Sequence, residues 1–284
     1  MTKQLLSKIE GCYSSMSKGH KRIADYITEN YDKAAFMTAA KLGDTVGVSE
    51  STVVRFASEL GFSGYPQLQK ALQEVVKSRL TSVQRMEAAG GEDMLEHAFS
   101  SDIETIKTTR ESISREAFNA SVEAINRAKH IYVLGVRSAA SLASFAAFYL
   151  NFVYDSVTLI EPAGTGEAFD QAFRINKDDV CIAISFPRYS KQTINMLRFI
   201  SDRGATVISV TDSENSPIAQ FATHLLLARS SMVSFVDSLV APLSLINALI
   251  AAAASEKSGE VYSNLSSLEN IWDEYQIYQT HEDE

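Results

Sequence analysis

Five short apolar runs alternate with helical segments from His130 onward, and this alternation constrains the fold more than any other feature of the chain. Each run is almost continuously hydrophobic, as expected for a strand that is covered on both faces of a sheet. The runs read HIYVLG, SVTLIE, DVCIAISF, ATVISVTD and HLLLAR. Strand–helix units repeated in this way predict an α/β domain with a doubly wound, five-stranded parallel sheet.

The residues before these runs read as helices. The interpretation divides the chain into an all-helical domain at 1–80, a linker with connecting helices at 81–129, and the α/β domain at 130–284. For the sheet we expect the flavodoxin-like strand order. Gly90-Gly91 is the best linker candidate, and a tail helix is predicted near 261–278. Ser17, Thr38, Ser49 and Ser114 are the predicted helix caps.

Charge is distributed unevenly between these parts. The chain carries a net charge of −9, which argues against a protein that coats nucleic acid, yet residues 1–80 hold eleven bases and eight acids. A mildly basic helical part joined to an acidic remainder favours two separate tasks. The sequence shows neither a signal peptide nor an apolar stretch long enough for a membrane span, which indicates a cytoplasmic protein. Two distant cysteines and five scattered histidines predict reduced thiols, no metal site and no cofactor.

The stretch AAKLGDTVGVSESTVVRFAS at 39–58 has the pattern of two short helices joined by a tight turn. Gly43 lies where the helices approach closely, and Gly47 follows the first helix, where a left-handed residue is favourable. Ser49 then caps the second helix. Apolar residues occupy the positions that join the two helices, namely Leu42, Val46, Val48, Val53 and Phe56. This arrangement predicts a helix-turn-helix.

The second helix of this motif has an outer face suited to a DNA groove. Small hydroxyls allow the helix to lie close to the duplex, Arg55 can pair with a guanine edge or a phosphate, and Val54 can touch a thymine methyl. The predicted DNA-binding residues of the motif are Lys41, Ser49, Ser51, Thr52, Val54, Arg55 and Ser58.

Other residues of the helical domain are predicted to flank the motif as contacts to the phosphate backbone. These are Lys18, Lys21, Arg22, Tyr65 and Lys70. The alternative interpretation is an ordinary helical hairpin with a solvated outer face. The full apolar pattern, both glycines, the cap and the local positive charge favour binding of double-stranded DNA.

Two loops of the α/β domain are rich in donors, and each lies between a strand and a helix. Ligands of open parallel sheets bind beyond the carboxyl ends of the strands, where free helix N–H groups favour anions. The first loop offers Gly135, Arg137, Ser138 and Ser141, and the second offers Ser185, Arg188, Ser190, Lys191 and Thr193. If the first and third strands are neighbours, the two loops share one crevice. We expect a phosphorylated small molecule there.

Simpler explanations exist for single members of these loops. Ser138 and Ser190 are candidates for ordinary helix caps, and Arg137 and Arg188 for surface ion pairs. The pairing of two such loops at equivalent positions favours a binding site. The chain carries neither the GxGxxG nor the Walker lysine motif of nucleotide-binding folds.

The segment KLGDTVGVSESTVVRFASELGFSGYPQLQ at 41–69, followed by this α/β domain, resembles the RpiR/MurR family of bacterial transcriptional regulators. The resemblance covers nearly the whole chain. It implies a homodimer or dimer of dimers that regulates carbohydrate metabolism, with a SIS (sugar isomerase) domain that binds a phosphosugar effector. By motif, Ser138 matches the serine after the first SIS strand, and Ser185, Ser190 and Thr193 match hydroxyl positions of the second loop.

The second loop departs from that family in one respect. SIS domains commonly carry a serine followed by glycine where this chain has Pro187 and Arg188. The close backbone approach of the glycine is lost, and a fixed cation is gained. The departure predicts a changed ligand pose, with Arg188 holding a carboxylate or a second anionic group.

Two further function classes stay open beside the regulator. A phosphosugar isomerase needs a base near the sugar carbon, for which Glu161, Glu167 and His224 are the candidates. A phosphosugar-binding protein would have neither turnover nor a DNA role. Because isomerisation does not require a DNA-reading hairpin, sensing is the preferred interpretation and we expect no enzyme activity.

Overall fold

The computed structural model describes residues 8, 9, 11–77, 81–88, 93–161, 165–232 and 234–278. The chain forms two compact units, Met1–Gly90 and Gly91–Glu284. The proposed linker residues Gly90 and Gly91 lie outside the described residues, and the boundary between the units falls between them.

The first unit is helical. Its helices are α1 (Lys18–Glu29), α2 (Tyr31–Ala34), α3 (Ala39–Val46), α4 (Glu50–Glu59), α5 (Tyr65–Lys77) and α6 (Ser82–Ala88). The side chains of Ser17, Thr38 and Ser49 each accept a backbone N–H from the first turn of α1, α3 and α4. These bonds confirm the three predicted caps, and each satisfies a donor that the start of a helix leaves open.

Apolar side chains from four helices build the core of this unit. Ile23 and Ile27 of α1, Leu42 of α3 and Phe56 of α4 are completely shielded from solvent. Leu68 and Leu72 extend the same core from α5. Burying a side chain of this size contributes about 1.5–3 kcal/mol, so these contacts fix the position of α4.

The second unit begins with two helices and continues as an α/β domain. Its elements are α7 (Met94–Ser112), α8 (Arg115–Arg127), β1 (Ile131–Gly135), α9 (Ala139–Leu150), β2 (Val157–Ile160), α10 (Thr165–Ala172), β3 (Val180–Ile184), α11 (Lys191–Asp202), β4 (Thr206–Thr211), a 3-10 turn (Ala219–Phe221), β5 (His224–Leu227), β6 (Ser231–Met232), β7 (Asp237–Ser238), α12 (Val240–Glu256) and α13 (Ser258–Glu274). Ser114 caps α8 as predicted.

Strands β1 to β5 form one parallel sheet in the order β2-β1-β3-β4-β5. Both the five strands and the flavodoxin-like order are therefore confirmed. In β1 and β3 all residues are buried, as the continuous apolar runs indicated. Alternate side chains point to opposite faces, so Val133 belongs to the core under α8, α9 and α12, and Leu134 to the core under α10 and α11.

Two features of the second unit differ from the sequence interpretation. Helices α7 and α8, which the sequence analysis gave to a connecting segment, belong to the second unit, and Val122 and Ile125 of α8 lie in its core. An antiparallel pair, β6 and β7, follows β5 and was not predicted.

Helix α7 is bonded to the segment that follows β5 at two points. The Ser238 hydroxyl donates to Oδ1 of Asp102 at 2.5 Å. The backbone N–H of Arg229 donates to Oγ1 of Thr109 at 2.9 Å. Both bonds connect residues more than a hundred positions apart, so only the tertiary fold brings them together.

Candidate DNA-recognition helix and anion site

The turn between α3 and α4 has the geometry that its glycines predicted. A Cβ added to Gly43 would lie 2.8 Å from the Val48 carbonyl oxygen, which is closer than such atoms pack. Gly47 ends α3 with φ of +69°, in the left-handed region that favours glycine. Both glycines are thus needed for the tight turn.

The inner face of α4 is buried and its outer face is open to solvent. Val53 and Phe56 are fully buried against the other helices. Exposed side chains on the outer face are Ser51, Val54, Arg55 and Ser58. The predicted orientation of this helix is therefore observed, while contact with DNA stays a prediction.

Hydrogen bonds between residues three or four positions apart hold the side chains on the outer face of α4. The Ser49 and Thr52 hydroxyls lie 2.8 Å apart, and Thr52 is half-buried. Nε of Arg55 donates to the Ser51 carbonyl at 3.3 Å, which directs the guanidinium along the helix surface. The hydroxyl of Ser58 donates to the Val54 carbonyl at 3.3 Å. The outer face of α4 therefore presents small side chains around the exposed guanidinium of Arg55.

Apart from Arg55, four of the five basic side chains predicted to contact DNA are exposed. Lys18, Arg22, Lys41 and Lys70 are exposed, and the half-buried Lys21 places its ammonium 5.4 Å from the ring centre of Tyr13. These positions suit contacts to a phosphate backbone.

Tyr65 is a correction to the predicted flank. Its side chain is 4% exposed, and its hydroxyl donates to the Met37 carbonyl at 2.7 Å. Burial raises the pKa of Tyr65 to about 12. Gln69 donates to the same carbonyl at 2.8 Å, so this end of α5 holds the segment before α3 in place. Tyr65 is a structural residue and does not reach a groove.

His20 is a positioning residue that the sequence reasoning missed. Its Nδ1 donates to Oε2 of Glu59 at 2.5 Å, and its ring packs edge-on against Phe56 with centres 5.7 Å apart. The pair ties α1 to the end of α4. No local signal connects two residues 39 positions apart.

In the second unit, the two donor-rich loops meet at one edge of the sheet. Strands β1 and β3 are neighbours, and Gly135 pairs in register with Ile184 at their carboxyl ends. The strand order reverses between these two strands, which is where open α/β sheets form a ligand crevice. The condition set for a shared crevice is thus fulfilled.

The first loop contains a close approach and a strained residue. A Cβ on Gly135 would lie 2.5 Å from the Ala139 carbonyl oxygen and 2.8 Å from the Ala143 Cβ, so this glycine allows α9 to pack on the strand end. Arg137 has φ of +60°, a conformation that costs a side-chain residue about 1–3 kcal/mol. Ser138 is exposed and makes no cap bond with α9, so the capping explanation fails for this serine.

The second loop contains one capping hydroxyl and one buried hydroxyl. The Ser190 hydroxyl accepts the N–H of Gln192 at 3.2 Å, so Ser190 does cap α11. Thr193, in the first turn of α11, is 1% exposed, and its Oγ1 has no hydrogen-bond partner among the described residues. Ser185 is buried, whereas Arg188 and Lys191 are exposed.

Tyr189 and Asp212 join this edge of the sheet without having been predicted. The Tyr189 hydroxyl donates to Oδ1 of Asp212 at 2.6 Å, and Thr211 donates to the same oxygen at 3.3 Å. Asp212 is 7% exposed and directly follows β4. The rule that pointed to the loops after β1 and β3 applies equally to the end of β4, and it was not applied there.

The three isomerase candidates are spread over different parts of the sheet. His224 begins β5 and therefore lies at the amino edge, opposite the crevice. Glu161 follows β2, and its backbone is bonded to the amide of Gln171. Glu167 is exposed on α10. They do not converge on one point.

Three further properties of the described residues concern metal binding, thiol reactivity and membrane spans. It holds no group of three His, Cys, Asp or Glu residues placed to bind a metal ion. Burial raises the pKa of Cys181 to about 12, which keeps this thiol protonated. None of the helices that the structure describes combines the length and the apolar composition needed to span a bilayer.

Family models match both units. The model described as "Helix-turn-helix domain, rpiR family" matches residues 3–79, and the model described as "SIS domain" matches residues 124–252. An uncharacterized HTH-type transcriptional regulator of Haemophilus influenzae is 26% identical over 235 residues, which cover 78% of this chain and 79% of the relative. The HTH-type transcriptional regulator HexR of Pseudomonas aeruginosa is 25% identical over 228 residues, with 78% and 77% covered.

Solved structures agree with this assignment. The NanR protein of Vibrio vulnificus, complexed with ManNAc-6P, has a TM-score of 0.60 at 23% identity and covers 95% of this chain and 98% of its own, which shows a common fold. The sugar isomerase domain of an RpiR transcription factor from Sphaerobacter thermophilus has a TM-score of 0.58 at 30% identity, covering 61% of this chain and 96% of that domain. Because a helix-turn-helix of the rpiR type precedes a SIS domain of this kind, the chain belongs to the RpiR family of transcriptional regulators.

Proposed function

We propose that this regulator binds operator DNA through α4 and adjusts that binding to a phosphorylated sugar held in the crevice between β1 and β3. The observation that carries the proposal is the meeting of two hydroxyl-rich loops at the reversal of strand order, each leading into a helix N-terminus. Free backbone N–H groups and the positive helix ends favour a phosphate at such a place.

Two hydroxyls are candidates for binding the phosphate. Ser138 is exposed and makes no cap bond, and the Thr193 hydroxyl is buried without a partner among the described residues. A buried hydroxyl without a hydrogen bond costs about 1–3 kcal/mol, which a phosphate oxygen at the start of α11 would offset. The ManNAc-6P bound by the NanR protein of Vibrio vulnificus belongs to this ligand class.

Arg188 supports a second anionic group on the effector. It is exposed in the second loop, one residue before the Tyr189 that donates to Asp212. A guanidinium can bind a carboxylate with two parallel hydrogen bonds. The effector we propose is therefore a sugar phosphate, with a carboxylate as the preferred second group.

The DNA side of the proposal rests on the outer face of α4. A single exposed arginine among small hydroxyls can approach a major groove without steric hindrance. We further propose a homodimer or dimer of dimers, because paired recognition helices read two half-sites of a pseudo-palindrome. A regulator that acts on bacterial operator DNA works in the cytoplasm.

A phosphosugar isomerase is the second candidate, and no observation favours it. Its possible bases lie at different places around the sheet, with His224 at the edge opposite the crevice. Ring opening and proton transfer need groups within hydrogen-bond reach of one substrate. We therefore propose that the bound sugar is sensed and not converted.

The testing experiment measures operator affinity with and without candidate effectors. Labelled DNA from upstream of the gene is titrated with the full chain in the presence of phosphosugars, phosphosugar acids, the dephosphorylated sugars and inorganic phosphate. We expect a shift of about 5–150-fold for at least one phosphosugar, which corresponds to a typical coupling of about 1–3 kcal/mol. Unchanged affinity with every compound would contradict the sensing role.

A matched pair of variants locates the site. Ser138→Ala combined with Thr193→Val should leave DNA affinity intact and remove the response to the effector. Ser144→Ala is the control, because Ser144 is exposed on α9 and is not among the predicted site residues. A double variant that still responds would place the pocket elsewhere, and turnover of any phosphosugar would favour the isomerase.

A further inference from the structure

A pocket of about 260 Å³ lies in the second unit. It forms where α7 ends, α8 begins and α12 packs across both. The residues that line it are Ile106, Thr109, Arg110, Ile113, Arg115, Phe118, Ala241, Ser244, Leu245 and Ala248. The proposed function uses none of these residues.

The interior of this pocket is apolar. Its walls come mainly from Ile113, Phe118 and Leu245. The two hydroxyls in the lining already have partners, since Thr109 accepts the N–H of Arg229 and Ser244 donates to the Val240 carbonyl at 3.0 Å. An entering apolar group would therefore displace water without breaking a protein hydrogen bond.

Two exposed arginines line the same pocket. Neither the Arg110 nor the Arg115 side chain forms an ion pair or a hydrogen bond with any residue that the structure describes. Arg110 lies in the last turn of α7, where a cation is favourable next to the free carbonyl groups.

Arg115 lies in a less favourable place. It is the first residue of α8, at the positive end of the helix, where a carboxylate would be stabilised and a cation is not. Glu116 in the same turn carries the charge that this helix end favours, whereas the Arg115 side chain has no partner among the described residues. An anion between the two guanidinium groups and the start of α8 would supply such a partner.

We propose that this pocket is a second ligand site, which binds a small molecule with an apolar body and one carboxylate. The volume equals that of about nine waters in the liquid, which suits a body of six to eight carbon atoms. The apolar walls bind the body, and Arg110 and Arg115 bind the carboxylate at the mouth. The site goes beyond the proposed function and does not depend on the phosphosugar.

The test uses unbranched carboxylates as probes. Butanoate, hexanoate and octanoate are titrated into the full chain by calorimetry, with the corresponding alcohols as uncharged partners. Affinity should rise about fourfold for each buried methylene and level off when the pocket is full. The alcohols should bind at least tenfold more weakly. Octanoate that does not saturate, or that binds no better than octanol, would overturn the proposal.

Variants assign the binding to this pocket. Arg110→Met with Arg115→Met should remove the advantage of octanoate over octanol, whereas Arg127→Met, an exposed arginine paired with Glu123, should keep it. Ala248→Phe should abolish binding by filling the pocket, and Ala251→Phe, also exposed on α12 but outside the lining, should not.

Measuring the molecular mass of both α12 variants keeps the proposal falsifiable against another occupant. If Ala248→Phe changes the oligomeric state and the unmodified chain does not bind octanoate, a second copy of the chain covers the pocket and the proposal is wrong. If Ala248→Phe abolishes octanoate binding at unchanged mass, the small-molecule site is supported.

Discussion

The recognition turn of the first unit and the crevice of the second differ in how completely their polar groups are satisfied. In the turn, Ser49 caps α4 and Arg55 donates to a carbonyl of its own helix. In the crevice, Ser138 makes no cap bond, Arg137 is held at φ of +60°, and the Thr193 hydroxyl lacks a partner among the described residues.

This difference indicates which of the two surfaces would gain hydrogen bonds from a ligand. Ser49 and Arg55 of the recognition turn already have hydrogen-bond partners, so the turn can contact DNA with little rearrangement. The crevice carries a backbone-strained residue, Arg137, and the unpartnered hydroxyl of Thr193, which a bound anion would satisfy. We therefore expect DNA binding to depend mainly on the shape of the turn, and the crevice to respond to its effector.

The largest expected effect contrasts the glycines of the two regions. Gly135→Ala should destabilise the second unit by about 3 kcal/mol, since the new methyl meets backbone atoms at 2.5 Å and α9 must move. Gly43→Ala, with its contact at 2.8 Å, should cost the first unit about 1–2 kcal/mol. Urea unfolding with hydrogen exchange measures both losses and assigns them to their units.

Gly166→Ala is the control for this pair, because nothing lies within 4 Å of the added methyl. It should be neutral or stabilise α10 by up to about 0.5 kcal/mol. A larger loss for Gly43→Ala than for Gly135→Ala would reverse the expected order of the two close approaches.

The second prediction concerns the recognition turn. Arg55→Ala should weaken operator binding by about 2 kcal/mol, roughly 30-fold, if the guanidinium reads a base. The unfolding free energy should hardly change, since the side chain is exposed. Gel-shift titration measures the affinity, with Arg127→Ala as the control. Parental affinity in Arg55→Ala would show that another face of the helix meets DNA.

The third prediction compares two hydroxyls with opposite expected signs. Ser49→Ala removes a helix cap and should cost about 1 kcal/mol of stability. Thr193→Val removes an unpartnered buried hydroxyl at equal volume and should stabilise the second unit by up to about 1 kcal/mol. Thermal unfolding of the two variants tests the signs. A loss in Thr193→Val would mean that the hydroxyl has a partner in the free protein.

The smallest effect is a pH dependence confined to the second unit. His130 lies between the hydroxyls of Ser156, at 2.5 Å, and Thr158, at 2.8 Å, and burial lowers its pKa below the usual 6.5. The folded state therefore prefers the neutral ring, so stability is full above pH 6.5 and falls as the pH drops below it.

Urea unfolding between pH 5 and 8 tests this dependence. His130→Gln should show a weaker loss of stability at low pH than the parent. Equal slopes in the two proteins would assign the loss to other groups.

The sequence was sufficient where short-range patterns determine the structure. Near-continuous apolar runs located all five strands of the sheet, and turn chemistry located Gly47 and the caps of α1, α3 and α4. Parallel strands joined by helices allow few arrangements, so the strand order followed from the alternation.

Features that depend on distant residues were beyond the sequence. The bond between His20 and Glu59 and the burial of Tyr65 arise only when α1 and α5 pack on their neighbours. Nothing in the residues around Tyr65 indicates that the Met37 carbonyl lies beside its hydroxyl. The pair of Tyr189 and Asp212 needed the neighbouring positions of β3 and β4.

The two hydrogen bonds of α7 couple the position of this helix to the segment after β5. Asp102 near the middle of the helix and Thr109 near its carboxyl end are bonded to the segment after β5, whereas Leu95 and Phe99 in its opening turns are exposed. A shift of the segment after β5 would therefore be passed directly to α7 at Asp102 and Thr109.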